Sequence, residues 1–171
     1  MRKIAIVNIK ALITKVEASE EYKNWRNSNP KPFLSSIFTI PDSDPEECHL
    51  NYFDAEKEEI NSFVVGEDIK LITHSEILSD GVPKELEPEK VSITFDKVLS
   101  IANDLMKKKY PNFKPARSML VLQYIDGKQV WNISFFSALL HTLNIRIDAS
   151  DGTVLLDKLL SIIHFEDTKK E

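Results

Sequence analysis

Apolar residues recur along the first 30 positions at helical spacing, which predicts two consecutive helices. Residues 4–17 carry apolar side chains at i, i+3 and i+4 positions and are predicted to form an amphipathic helix. A second helix is predicted over residues 19–29, because Ser19 is a good N-cap and Pro30 disfavours helix in the residue before it. The chain is therefore expected to open with helical structure.

The next stretch is rich in β-branched and aromatic residues, separated by polar turns, which predicts a run of short strands. The predicted strands cover residues 33–40, 49–54, 60–65 and 69–73. Residues 55–59 form a polar loop between two of them, and the pairing of the last strand is left open by Gly66 and the acidic residues after it. The first half thus has the pattern of helices followed by an antiparallel sheet.

The clearest helix pattern opens the second half. Thr94 is a predicted N-cap, Ile93 and Val98 are placed as a hydrophobic staple, and Tyr110 with Pro111 ends the segment. The apolar stripe of this helix consists of Phe95, Val98, Leu99, Ala102, Leu105 and Met106. We expect this stripe to cover a sheet.

Asp126-Gly127 stands between two alternating runs and is a strong hairpin pattern. A two-residue turn fixes the register, so that Ile125 faces Lys128 and Leu122 faces Trp131. Leu120 with Ile133, and Ser118 with Phe135, follow on the same face. We expect the helix stripe to pack on this face, with Trp131 at its centre.

A second hairpin is predicted near the C-terminus. Leu143, Ile145 and Ile147 alternate on one face, residues 150–152 supply the turn, and residues 154–160 return. Residues 79–89 contain two prolines and no periodicity, which is typical of a linker. The predicted organisation is a first repeat at 1–78, a linker at 79–90, a second repeat at 91–164 and a frayed tail at 165–171.

Composition supports a folded α+β protein. The 171 residues are 42% hydrophobic, which is enough apolar material for a core. The net charge of −5 argues against a broad nucleic-acid surface, which needs clustered basic residues. The one basic cluster, Lys107, Lys108 and Lys109, suits the C-terminal turn of a helix.

Several features bear on the cellular compartment. Cys48 is the one cysteine, so no internal disulfide can form, as is usual in a reducing cytosol. Asn8 and Lys10 interrupt the apolar N-terminus, and no run approaches the roughly 18 apolar residues of a membrane span. We therefore expect a cytoplasmic protein without a membrane span. An extracytoplasmic location is the alternative if the chain is cut from a longer, anchored protein.

Two segments of the chain resemble each other. Asp54-Ala55 and Asp148-Ala149 are both followed, six positions after the aspartate, by a β-branched residue, Ile60 or Val154. Upstream of both lie a helix and strands. The same order of elements twice in one chain predicts a duplication.

The second half resembles a PepSY domain. The resemblance covers about residues 93–160 and consists of the helix stripe, the strand Val-Trp-Asn-Ile at 130–133, the strand ending in Asp148-Ala149, and the turn at Gly152. The first half looks like a degenerate copy, with Glu58 in place of the turn glycine. The resemblance implies two PepSY-like (cystatin-like) α+β repeats, and it implies a module that binds and restrains a peptidase without being catalytic itself.

Candidate catalytic and metal-binding residues are explained better by structural roles. The four histidines, His49, His74, His141 and His164, lack metal-site spacing, and residues 42–46 imitate a calcium loop without its glycine or closing glutamate. Asp54 and Asp148 are expected to cap their own turns. Cys48 follows two glutamates, which disfavour a thiolate. We therefore predict no enzymatic activity, no metal and no cofactor.

The candidate partner-binding residues are four apolar or aromatic side chains. Tyr22 and Trp25 share a helix face and are either exposed or packed on the first sheet. Leu139 and Leu140 lie in a connector that is unusually apolar for a loop. It is predicted to be a β-bulge, a dimer contact or part of a peptide-binding edge.

The favoured function is a protein- or peptide-binding module, which uses an exposed sheet edge or the concave sheet face. The alternative is a small-molecule carrier with an apolar pocket between helix and sheet. The sequence leaves the partner and the oligomeric state open.

Overall fold

Three α-helices, one short 3-10 turn and eight strands make up the described part of the chain, residues 8–41, 47–74 and 82–161 of a computed structural model. The helices are α1 (Ile9–Glu17), α2 (Glu20–Ser28) and α3 (Phe95–Lys109), and the 3-10 turn is Pro88–Lys90. The strands are β1 (Phe33–Thr39), β2 (Cys48–Asp54), β3 (Glu59–Val65), β4 (Ile69–His74), β5 (Pro115–Ile125), β6 (Lys128–Ser137), β7 (His141–Asp148) and β8 (Val154–Ser161). The predictions for residues 4–7, the polar turn at 42–46, His164 and the tail at 165–171 fall outside the described residues.

Side-chain caps fix where the helices begin. Asn8 has an extended backbone, and its side chain accepts hydrogen bonds from the backbone N–H groups of Lys10 and Ala11, so α1 begins at Ile9. Ser19 caps α2 and Thr94 caps α3, both as the sequence predicts. These caps satisfy N–H groups that have no partner inside the helix.

All eight strands form one antiparallel sheet in the order β4-β3-β2-β1-β5-β6-β7-β8. β4, whose pairing the sequence left open, pairs with β3. Residues that face each other across antiparallel strands lie on the same side of the sheet. One row of such residues crosses all eight strands: Leu71, Phe63, Leu50, Ile37, Leu122, Trp131, Ile147 and Val154.

The helices pack on the sheet face that carries this row, and their buried residues join one hydrophobic core. Leu12 and Val16 of α1 lie in that core, as do Val98 and Ala102 of α3. Trp131 is 1% exposed, and its indole N–H donates to the backbone O of Ile93 at 3.2 Å. The prediction that Trp131 is central and buried is confirmed.

The register of the Asp126-Gly127 hairpin and the inward face of β7 agree with the sequence prediction. Ile125 faces Lys128 and Leu122 faces Trp131 across the Asp126-Gly127 turn. Leu143, Ile145 and Ile147 are each fully buried on the helix side. A two-residue turn leaves little freedom of register, so the pairing of the strands that flank Asp126-Gly127 could be predicted from the sequence.

The segment predicted as a linker is part of the fold in its described portion. Leu86 is buried, and its N–H donates to the O of Leu34 in β1 at 2.8 Å. The backbone of Glu87 is bound by the side chain of Gln129 in β6. Residues 86–90 therefore bind to both halves, and β1 pairs directly with β5. We call residues 82–90 the strap; they are attached to the sheet, and the boundary between two repeats at residues 79–90 stays a prediction.

The two turns that were aligned in sequence have the same local conformation. Asp54 Oδ1 accepts from the N–H of Glu56 at 2.9 Å, and Asp148 Oδ1 accepts from the N–H of Ser150 at 2.9 Å. Glu58 and Gly152, which are aligned, both have positive φ, at 54° and 82°. The first turn joins β2 to β3, whereas the second joins β7 to β8. The alignment therefore matches two turns and not two whole units strand for strand.

Candidate protein-binding surface

Tyr22 and Trp25 pack against the first half of the sheet. Trp25 is 9% exposed, and its ring lies 5.2 Å from that of Phe63 and 5.8 Å from that of Tyr52. Tyr22 is half-buried in the same cluster, 5.2 Å from Tyr52. Burial raises the pKa of the Tyr22 phenol, and the nearby Glu17 carboxylate raises it further. The packing alternative therefore describes Trp25, whereas Tyr22 packs in the same cluster and remains partly exposed.

Leu139 and Leu140 form the turn between β6 and β7 and are 75% and 51% exposed. The turn is closed by a hydrogen bond from the N–H of Leu140 to the O of Ser137 at 3.2 Å. Leu140 has a φ of 57°, which is unusual for a residue with a branched side chain. The connector is thus a tight turn, and the β-bulge interpretation is wrong.

The turn lies beside the end of β8, which is an edge of the sheet in the described structure. Leu160 pairs with Thr142 and Ser161 pairs with His141, the residue that follows Leu140. On β8 itself, Leu155, Leu159 and Leu160 are 41%, 44% and 44% exposed. We call the exposed leucines of the turn and of β8 the leucine edge: Leu139, Leu140, Leu155, Leu159 and Leu160.

An edge strand can bind another strand because every second residue directs its N–H and C=O groups away from the sheet. Natural proteins usually protect such edges with charged residues, prolines or a covering element. On β8, Asp157 and Lys158 are charged, but the flanking positions are leucines. The sequence showed that these residues form a strand, yet it gave no local indication that this strand would lie at the edge.

The C-terminal turn of α3 lies over β8. Lys109 Nζ is 2.5 Å from Asp157 Oδ1, and the Tyr110 hydroxyl donates to the same oxygen. The Lys109 ammonium and then the Tyr110 hydroxyl lower the pKa of the Asp157 carboxyl. The same contact raises the pKa of Lys109. These bonds place the end of α3 at the edge of the sheet.

The opposite edge, β4, is shorter and carries fewer exposed apolar residues. Leu71 and Ile72 are 37% and 44% exposed, and α2 packs near this strand. It has the same free-edge geometry as β8 but no neighbouring exposed leucine turn in the described residues. It is therefore a matched comparison for β8.

The sheet face opposite the helices carries polar residues that bind one another. Asn51 Nδ2 donates to Ser36 Oγ at 2.9 Å, and Ser62 Oγ donates to Asn51 Oδ1 at 2.7 Å. In the second half, Asn144 Nδ2 donates to Ser134 Oγ at 3.0 Å. Three other buried polar atoms on this face have no hydrogen-bond partner among the described residues: Asn132 Oδ1, Asn144 Oδ1 and Arg146 Nε.

Two of the cavities lined by described residues have volumes of about 200 Å³ each. One lies between α3 and β5, beside Leu99 and Arg117, and the other lies beside the start of α1 and Phe95. Small-molecule sites usually have volumes of roughly 300 to 1,000 Å³. Both cavities are below that range.

The residues considered for catalysis have structural partners. Asp148 binds the N–H and hydroxyl of Ser150 and lies 3.2 Å from Lys128, and these contacts lower the pKa of its carboxyl. Cys48 is fully buried in β2. Among the described residues, no three His, Cys, Asp or Glu side chains are grouped as a metal ion would require. None of the described helices has both the length and the apolar character needed to cross a membrane.

The fold defines an α+β protein with helices on one face of an antiparallel sheet. No protein-family model matches the chain, and no curated protein matches it significantly. Among solved structures, the chain is similar to a candidate lipoprotein from Clostridium difficile 630, with a TM-score of 0.56 and 12% sequence identity. The similarity covers 82% of this chain and 91% of that chain. At this identity it shows a shared fold.

Proposed function

We propose that this chain is a non-catalytic module that binds an extended polypeptide segment at β8. The observation that supports the proposal is the leucine edge, where the outermost strand of the described sheet and five exposed leucines occur together. Main-chain hydrogen bonds to an added strand supply affinity in this mode, and side-chain contacts supply specificity. Exposed leucines on β8 and in the adjacent turn would lose water-accessible apolar area when a partner strand covers them.

We further propose that the molecule is built from two PepSY-like units. Supporting this, α2 precedes the meander β1 to β4, and α3 precedes the meander β5 to β8. The helix-on-sheet packing around Trp131 and the Asp148 to Gly152 turn fit the resemblance of the second half. By that resemblance the partner is a peptidase, so inhibition of a thermolysin-type peptidase by the purified protein is the corresponding assay. If the protein inhibits no such peptidase, a peptidase is excluded as the partner, and the binding of other polypeptides is tested separately.

Polypeptide binding can be tested with a displayed library of random peptides of about ten residues, since such a segment spans the length of β8 at about 3.3 Å per residue. We expect the protein to enrich peptides that slow amide hydrogen exchange in residues 154–161. Replacing Leu159 and Leu160 together by serine should abolish this enrichment, because both leucines lie at the edge.

The matched control is the double variant Leu71→Ser and Ile72→Ser on β4, which has similar exposure at the opposite edge. It should retain the selected peptides. A library that yields no binder, or binders that protect β4 in place of β8, would contradict the proposal. Enrichment unaffected by the β8 substitutions would contradict it as well.

The cellular compartment stays a prediction. The cytoplasmic location expected from the sequence and the extracytoplasmic alternative are both compatible with peptide binding. Similarity to a candidate lipoprotein is a reason to test the second, by locating the full-length protein in fractionated cells.

A further inference from the structure

The chain is acidic overall, with 27 Asp and Glu against 22 Lys and Arg, but its charge at the proposed binding edge is the opposite. Lys107, Lys108 and Lys109 form the last turn of α3, and all three are exposed. Lys109 and Tyr110 bind Asp157 in β8, so the C-terminal end of α3 lies beside the middle of this strand, although Lys107 faces β5 on the other side of the helix. A basic cluster therefore lies next to the leucine edge.

A fourth lysine extends the cluster to the other side of the strand. Asp157 binds α3 and so lies on the helix side of the sheet, and successive side chains of a strand point to opposite faces. Lys158 therefore lies on the face away from the helices, opposite Asn144 of β7. A strand added beside β8 would have lysine side chains near both of its faces.

Most of this positive charge is uncompensated within the described residues. Lys109 forms an ion pair with Asp157, but no carboxylate in the described part of the chain lies within 4.0 Å of the ammonium groups of Lys107, Lys108 or Lys158. Lysines in the last turn of a helix also interact favourably with its dipole, which accounts for their presence on α3. The dipole does not account for Lys158, which lies on a strand.

We propose that the segment bound at β8 is acidic in the part that lies beside Asp157 and Lys158 and aliphatic in the part that lies beside Leu159 and Leu160. This inference rests on the proposed function, because it names the chemistry of the partner at the same edge. The carboxylates of the segment meet Lys108 on one face of the added strand and Lys158 on the other. Its aliphatic residues cover the exposed leucines of β8 and of the neighbouring turn.

The test uses two synthetic peptides of about ten residues that differ in charge alone. One has an aliphatic half and a half with several glutamates, and the other has glutamine at each glutamate position. We expect the full chain to bind the acidic peptide about tenfold more tightly, since several exposed charge pairs each add a small favourable contribution. The difference should shrink as salt is raised from about 0.1 M to about 1 M, because screening shortens the reach of charge interactions.

The variant for this test replaces Lys108 and Lys158 together by glutamine. It should bind the acidic peptide about tenfold more weakly than the parent while its affinity for the glutamine peptide is unchanged. A matched control replaces Lys10 and Lys23, which are exposed lysines on α1 and α2, by glutamine, and it should bind both peptides as the parent does.

The outcomes separate this inference from the proposed function. Equal affinity of the parent for both peptides, or loss of the charge preference in the α1 and α2 control, would overturn the inference and leave strand binding at β8 intact. Failure of either peptide to bind or to protect residues 154–161 from exchange, together with an empty library selection, would overturn the proposed function itself.

Discussion

The side chain of Gln129 makes reciprocal hydrogen bonds with the backbone of Glu87. Gln129 Oε1 accepts from the N–H of Glu87 at 2.8 Å, and Gln129 Nε2 donates to its carbonyl O at 3.1 Å. The Glu87 side chain in turn accepts from the Tyr124 hydroxyl at 2.5 Å. The β5–β6 hairpin thereby holds the strap that connects the two halves of the sheet.

Replacing Gln129 by alanine should destabilise the protein by about 1–3 kcal/mol, because two backbone groups of Glu87 lose their partners. Chemical denaturation measures the free energy of unfolding. Gln123→Ala in β5 is the control, since this residue is a half-buried glutamine of the same hairpin that is not bonded to the strap. An equal loss in both variants would show that the reciprocal hydrogen bonds are not the cause.

Trp131→Ala should lower the free energy of unfolding by about 3–5 kcal/mol, because a fully buried indole is removed from under α3. Trp131→Phe should cost less, since the ring contact with Phe95 can persist and mainly the N–H bond to Ile93 is lost. Thermal and denaturant unfolding of both variants would check the order. A Phe variant as unstable as the Ala variant would show that the hydrogen bond dominates over packing.

The two hairpins of the second half could be predicted because their information is local. The Asp126-Gly127 turn fixes the pairing of its flanking strands, and alternation then assigns Leu122 and Trp131 to one face. The strap at residues 82–90 could not be predicted in the same way. Its composition is typical of a linker, and its attachment depends on Leu34 and Gln129, which are distant in sequence.

The sheet order was also beyond local patterns. β1 pairs with β5 through Ile37 and Leu122, which are 85 positions apart, and no turn of the chain specifies this contact. The edge position of β8 follows from that order, so the sequence predicted only part of the leucine edge. Leu139 and Leu140 stood out as an apolar loop, whereas Leu159 and Leu160 resembled ordinary strand residues. Whether Trp25 is exposed or packed on the sheet depends on the position of Tyr52, and the sequence alone does not give that position.

Gly152→Ala should be more destabilising than Gly127→Ala, although both glycines have nearly the same positive φ, at 82° and 79°. Each substitution strains the backbone by about 1–2 kcal/mol. A Cβ at position 152 would also lie 3.2 Å from Ile101 Cδ1, whereas a Cβ at position 127 has no heavy atom within 4 Å. Denaturation of the two variants tests the difference. Equal losses would mean that Ile101 moves away at no cost.

Glu58→Gly should stabilise the protein by roughly 0.5–1 kcal/mol. Glu58 has a φ of 54°, where a residue with a side chain is disfavoured by about 1–2 kcal/mol and glycine is not. Part of this gain is lost because glycine raises the entropy of the unfolded chain. The measurement is the denaturation midpoint at neutral pH, with Glu56→Gly in the same turn as a control that should destabilise. A destabilised Glu58→Gly variant would show that the strain is offset by contacts of the glutamate.

The Leu139→Ser variant should leave the free energy of unfolding within about 0.5 kcal/mol of the parent, because this side chain is 75% exposed in the turn. Trp25→Ala should cost about 3–5 kcal/mol, since Trp25 packs on Phe63 and Tyr52. The pair separates the two kinds of residue that the sequence grouped as partner-binding. A large loss in Leu139→Ser would mean that the turn supports the fold.

Acidification should weaken the fold partly through Asp148. Its carboxylate binds the N–H and hydroxyl of Ser150 and the ammonium of Lys128, and the Ser150 hydrogen bonds are the main reason that its pKa is lowered. The pKa of this carboxyl is lower in the folded state than in the unfolded state. The ionised carboxylate therefore stabilises the folded state above about pH 4, the usual range for aspartate. This stabilisation is lost as the pH falls through the lowered pKa of the folded state.

Asp148→Asn should therefore be about 1–2 kcal/mol less stable at pH 7 and should lose less stability than the parent between about pH 5 and pH 2. Asp126→Asn, at a residue whose side chain is 92% exposed, is the control and should follow the parent curve. If Asp148→Asn and the parent lost stability in parallel across that range, the turn carboxylate would not contribute to the acid sensitivity.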